Sequence, residues 1–142
     1  MACKLNEDDS GVPGGTIKEY NSWILQHIIE PAPIKGWLIL KTKRHVDGIE
    51  NMNKKEAGEL GNIIESLTKI LKEVTKASKV YVCCFTEYVS HLHIHIIPKY
   101  QDIIQKGPNI FKLLRDVKEG KIKSVNIKDV ANISDILKIK LN

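Results

Sequence analysis

Cysteine is scarce in this chain, three in 142 residues, which is too few for a disulfide framework. Cys83 and Cys84 are adjacent, so on a strand they point to opposite faces, and reduced thiols in a core strand are the expectation. No apolar run approaches the length of a membrane span. The opening residues 1–9 are acidic and lack the apolar centre of a signal peptide, so a cytoplasmic protein with no membrane partner is expected. Arginine-rich runs and glycine-aromatic RNA motifs are also missing. The net charge of +5 therefore reads as a solvated basic surface, and a nucleic-acid partner is not expected. What is present, 42% hydrophobic and 27% charged residues, fits one globular domain with a real core.

Gly11, Pro13, Gly14 and Gly15 mark an opening loop. Residues 16–20 and 23–29 read as two short strands across an Asn21-Ser22 turn, and Pro31-Ala32-Pro33 then breaks the chain. Residues 36–42 read as a third, largely buried strand. Asn53 with Glu56 three residues on has capping spacing, and Leu60, Ile63, Ile64, Leu67, Ile70 and Leu71 form the stripe of a core-facing helix. Residues 79–85 and 89–98 read as strands, the latter ended by Pro98, and 109–117 and 129–140 as helices. The pattern predicts an α+β fold, a mostly antiparallel sheet with a long helix packed on one face and the helices on that face.

Three of the five histidines fall at positions 91, 93 and 95. On a strand such residues share one face at a spacing of ~7 Å, while Leu92, Ile94 and Ile96 face the core. Each imidazole needs a hydrogen-bond partner, which makes three in a row an improbable purely structural choice. Two chemistries compete. His-x-His on a strand can join further ligands in a zinc site. Alternatively a neutral imidazole can attack phosphorus while its neighbours position phosphate oxygens, since a pKa near ~6.5 leaves the neutral form abundant at pH 7. His45 favours phosphorus: it ends the basic step Lys41-Thr42-Lys43-Arg44-His45, which repels a bare zinc ion and attracts a phosphate chain.

The run His91-Leu92-His93-Ile94-His95-Ile96-Ile97 resembles the signature of the histidine triad superfamily, His-φ-His-φ-His-φ-φ, at every position. The strand leading into Lys43-Arg44-His45 resembles that family's second landmark, and the order of elements is similar from about Thr16 to Tyr100. The resemblance does not extend beyond residue 105. It implies a nucleotide hydrolase or nucleotidyl transferase, commonly a homodimer, needing no cofactor. It also implies His93 as the nucleophile that forms a nucleotidyl-histidine on the α-phosphate, and His91 as the member that orders the site. His95 and His45 would hold phosphate oxygens. Residues 1–105 would be the catalytic domain and 106–142 a helical, basic extension of it. A non-catalytic nucleotide-binding module and a zinc-dependent enzyme are the alternatives.

Departures from the family pattern bear on the substrate. Glu87 stands where a glutamine that binds phosphate and leaving group is common, in the stretch Phe85-Thr86-Glu87-Tyr88-Val89-Ser90, and Glu87 and Ser90 are taken as substrate-binding. A carboxylate there repels phosphate unless it faces a leaving-group amine or hydroxyl, which implies a changed leaving-group preference or slow turnover. The ribose-binding aspartate is missing, with Glu30 the nearest acid. Cys3 is half of a Cys-x-x-Cys pair, so no structural zinc is expected. His27 reads as a structural or surface residue, and Trp23 and Trp37 as core or dimer interface.

Overall fold

The first hairpin forms where apolar and β-branched residues flank a polar turn: β1 (Thr16–Glu19) and β2 (Trp23–His27) pair antiparallel. The computed structural model describes residues 8–142; Cys3 and its expected role lie outside the described residues. After β2 come β3 (Leu38–Thr42), a 3₁₀ turn at Ile49–Asn51, α1 (Lys54–Thr75), β4 (Lys79–Cys83) and β5 (His93–Lys99). A second 3₁₀ turn, Gly107–Phe111, runs into α2 (Lys112–Lys118), and α3 (Ile127–Lys140) closes the chain. The strands form one sheet in the order β1-β2-β3-β5-β4, antiparallel at each pairing.

Helix α1 starts where its capping spacing predicts. The Asn53 side chain accepts from Glu56 N (2.8 Å) and Glu56 Oε2 accepts from Asn53 N (2.9 Å). Arg44 grips the same carboxylate at 2.9 and 3.0 Å, and Trp23 Nε1 donates to the Glu56 carbonyl at 3.0 Å. The arginine beside it, together with the cap, holds the Glu56 carboxyl below the usual range. One residue thus ties the helix start both to β2 and to the segment after β3 that carries His45.

The alternation of each strand separates two clusters. On one face Leu25, Leu38, Leu40, Ile94 and Ile96 pack against Leu67 and Leu71 of α1 and Leu137 of α3. On the other face Trp37 and Ile97 pack against Ile110 and Leu113. Helices on a single face were predicted; α1 and α3 obey this, and residues 107–118 do not. Their apolar positions, Ile110, Leu113 and Val117, recur at helical spacing and are all buried, and the Trp37 face supplies cover for the first two.

Strand β5 corrects a second expectation. It begins at His93 rather than at 89, because Leu92 N bonds to Val46 O and draws the preceding residues toward the chain beyond β3. It also runs through Pro98 instead of stopping there. Pairing with β3 ends at Ile96, so at Pro98 one side of the strand has no neighbour that needs its missing N–H.

His27 is buried and structural. Its Nδ1 lies 2.9 Å from the Ile28 carbonyl and its Nε2 accepts from Gly36 N at 2.9 Å, and burial lowers its pKa. That bond holds the Gly36 turn (φ 88), where a Cβ would come within 3.1 Å of Ile133 and 3.2 Å of Pro98. The next residue is Trp37, so the turn sets the start of β3 and aims the indole. Among the described residues no helix is long and apolar enough to cross a membrane.

Candidate active site

Register, more than sequence order, assembles the site. Across the β3–β5 ladder Lys41 stands opposite His93 and Ile39 opposite His95, and directly opposed residues share a face. On the other flank Cys83 stands opposite His95. His93 and His95 therefore project from the sheet face away from α1, as the alternation predicted. His91 does not share that strand. It sits in the bend before β5, 2% exposed, turned toward the end of β3.

Each imidazole has a different fixed partner, and the partner decides where its proton sits. His93 Nδ1 lies 2.8 Å from the His91 carbonyl, which can only accept, so Nδ1 carries the proton and Nε2 keeps a free lone pair. His91 Nε2 lies 2.6 Å from the Thr42 carbonyl and is protonated for the same reason, with the Thr42 hydroxyl 3.3 Å away. His95 Nδ1 instead accepts from Trp37 Nε1 at 3.0 Å; an indole only donates, so the His95 proton sits on Nε2.

Electrostatics follow from these surroundings. Burial beneath the aromatic rings, with His93 beside it, pushes His95 down to about 4. Burial also lowers His91; the Thr42 carbonyl opposes this, while the nearby charges of His45, Lys41 and His93 add to it. His45 is exposed, its ring 5.2 Å from that of His91 and edge-on to it. Lys41 is fully buried in the middle of the sheet.

A cleft of about 720 Å³ opens beside His93 and His95, bounded by Phe85, Glu87, Phe111 and Arg115. Phe111 forms its inner wall, edge-on to His95 at 5.1 Å, to Trp37 at 5.4 Å and to Phe85 at 5.3 Å. Apolar walls with a few convergent polar groups fit a small-molecule site. The chemistry available is a nucleophilic nitrogen, Nε2 of His93, 5.2 Å between ring centres from a neutral donor, His95.

Of the predicted site residues, His93, His95 and Glu87 line this cleft, and His91 and His45 stand behind it through hydrogen bonding and ring contact. Ser90 is exposed on the loop before β5 and is not part of the cleft wall. The ribose role expected of Glu30 finds no geometric support. Ala32 N donates to Ser124 Oγ at 3.0 Å and Val125 N to Ala32 O at 2.8 Å, so the chain after β2 follows the segment before α3. Glu30 goes with it and lines a separate depression with Pro31, Ser124 and Asn126. Sequence reasoning missed Phe111 on the cleft wall and Trp37 bonded to His95, and it missed that Lys41 and Cys83 oppose His93 and His95 in the register. Parity within β3 put Trp37, Ile39 and Lys41 on one face, but nothing local said that this face meets His93. Among the described residues no group of three or more His, Cys, Asp or Glu side chains is arranged to hold a metal ion.

The HIT domain family model matches residues 19–102, more than half of the chain. Solved structures share the fold at low identity. A hypothetical histidine triad nucleotide-binding protein from Sulfolobus tokodaii is 15% identical at a TM-score of 0.71, over 98% of this chain and 89% of that one. A histidine triad protein from Bradyrhizobium japonicum is 20% identical at a TM-score of 0.70, over 89% and 90%. A zinc-bound histidine triad family protein from Mycobacterium smegmatis is 11% identical at a TM-score of 0.69, over 99% and 93%. No curated protein sequence matches the chain.

Proposed function

Because the chain belongs to the HIT domain family, we propose that it is a nucleotide hydrolase or nucleotidyl transferase in which His93 attacks the α-phosphorus of a nucleotide. The observation that carries this reading is the bond from His93 Nδ1–H to the His91 carbonyl, which leaves the Nε2 lone pair free beside the cleft. Attack forms an N–P bond, breaks the bond from phosphorus to the leaving group and turns the imidazole into a cation. The His91 carbonyl, already aligned on the Nδ1 proton, stabilises that developing charge without reorganising. His95 Nε2–H donates to a non-bridging phosphate oxygen, and His45 at the exposed edge adds a second contact to the phosphate. Water then displaces His93 and releases the nucleoside monophosphate, or another acceptor displaces it and carries the nucleotidyl group away.

The family context supports a nucleotide-directed activity, as does the Sulfolobus tokodaii neighbour described as nucleotide-binding. Glu87 on the cleft wall favours a leaving group that presents an amine or hydroxyl. The catalytic unit is residues 1–105, with 106–142 an extension of the same domain that builds the Phe111 wall. A homodimer forms through a sheet edge, β1 or β4, each of which has a strand neighbour on one side only among the described residues. The free thiols of Cys83 and Cys84 suit the reducing cytoplasm.

A panel of nucleoside polyphosphates, phosphoramidates and phosphoesters, assayed in chelator, tests the reading. Wild type is expected to release a nucleoside monophosphate from at least one class, and His93→Ala to lose ~10³-fold or more in kcat. Tight nucleotide binding without turnover in wild type would instead support a binding module, and activity lost on chelation and restored by zinc would support metal chemistry.

A further inference from the structure

We propose that Trp37 is a positioning residue: its indole N–H keeps His95 an uncharged Nε2–H donor, so that no second cation forms beside His93 during the reaction. The role in catalysis rests on the phosphoryl-transfer reading above; the effect on His95 does not.

The argument starts from the contrast between two neighbouring rings. His93 and His95 project from one strand face with ring centres 5.2 Å apart. The first meets a carbonyl, the second an N–H, at nearly equal distances of 2.8 and 3.0 Å. A carbonyl accepts a proton-bearing nitrogen, and accepts it better once the ring is charged. An indole N–H does the reverse. To become a cation His95 would have to place a proton on Nδ1, aimed at another donor 3.0 Å away. Neither partner can turn aside: Trp37 is 0% exposed, and Phe111 stands edge-on to both rings.

This asymmetry matches the charge flow of the proposed chemistry. Attack on phosphorus makes His93 cationic, and a charged His95 at that separation would oppose it. Held neutral, His95 still offers Nε2–H to a phosphate oxygen. Other ionisable groups near His95 are Cys83 across the β4 ladder, Glu87 on the loop, and Arg115, Lys118 and Glu119 on the far cleft wall. These act on the imidazole through space; among the described residues it is Trp37 that addresses Nδ1 directly.

Ring-nitrogen NMR of the full chain, with kinetics on the most active substrate of the nucleotide panel, provides the test. Wild-type His95 is expected to show protonated Nε2 and bare Nδ1 from pH 8 down to 5. Trp37→Phe keeps an aromatic ring but removes the donor. Burial and His93 still act in that variant, but with Nδ1 released His95 is expected to populate the Nδ1–H tautomer and to titrate above its wild-type position, and kcat to fall more steeply than in wild type between pH 8 and 5, with KM little changed. A wild-type His95 protonated on Nδ1 overturns the proposal, and this needs no variant. So does a Trp37→Phe protein that melts earlier yet keeps the wild-type tautomer and pH profile, since that is packing alone. Should wild type show the expected tautomer but turn over no nucleotide, the phosphoryl-transfer reading fails while the tautomer assignment survives.

Discussion

The two faces of the sheet are built from the same strands and answer to different demands. Toward α1 and α3, Leu38, Leu40, Ile94 and Ile96 meet Leu67 and Leu71 in a cluster of apolar side chains. On the reverse side, one residue out of step, Trp37, His93 and His95 stand among the apolar side chains of residues 107–118, and Lys41 lies opposite His93 in the register. Burial on the first face removes hydrocarbon from water and stabilises the fold. Burial on the second works on protons: the charge of Lys41 is taken out of water, and His95 is driven neutral with its tautomer set by Trp37. One period-two alternation therefore divides the strands into a stabilising set and a reactive set.

Leu67→Ala is expected to have the largest effect on stability, costing ~2–5 kcal/mol, because the side chain is fully buried between α1 and the sheet. Chemical denaturation measures this. Turnover of the molecules that remain folded should stay within about threefold of wild type, and a larger loss would break the division between faces.

Acid should reveal the reverse face. His95, His91 and His27 are all held below the usual histidine pKa by burial, so below ~6.5 each takes up a proton less readily when folded than when unfolded. Between ~6.5 and about 4 the unfolded chain binds more protons, so stability rises with pH through that window and is level above it. For His95 alone that gap, at ~1.4 kcal/mol per pH unit, amounts to roughly 3 kcal/mol once the pH is below 4. Denaturation midpoints from pH 8 to 4 check the slope. Leu67→Ala should keep it and His95→Asn should reduce it.

How much of this was legible in the sequence depended on how local each cause is. The α1 start was readable from Asn53 and Glu56 alone, because a cap is made within four residues. The shared face of His93 and His95 was readable from alternation. His91 was misplaced onto the strand, since what ends β5 there is the long-range bond from Leu92 to Val46. Glu30 was carried away from the cleft by bonds to residues 124 and 125, nearly a hundred positions on. Trp37 and Lys41 became site residues only once β3 and β5 were in register. The packing of residues 107–118 on the far face depends on which apolar surface lies open to them, and their own sequence does not say.

Lys41→Met gives a smaller and sharper contrast. Replacing a buried ammonium by a thioether of similar length removes the charge while keeping most of the side-chain bulk, which separates charge from packing. Steady-state kcat/KM should fall about tenfold through loss of positive charge beside the phosphate. Stability lost with activity intact would assign Lys41 to the structural set instead.

The central claim is that His93 becomes covalently nucleotidylated. Rapid alkaline quench of wild type with its best substrate, followed by peptide mass spectrometry, measures this directly. An adduct of one nucleoside monophosphate on the His93 peptide, stable in alkali, labile in acid and absent from His93→Ala, is the predicted result. Turnover with no such adduct at any quench time, or an adduct on another residue, would contradict it.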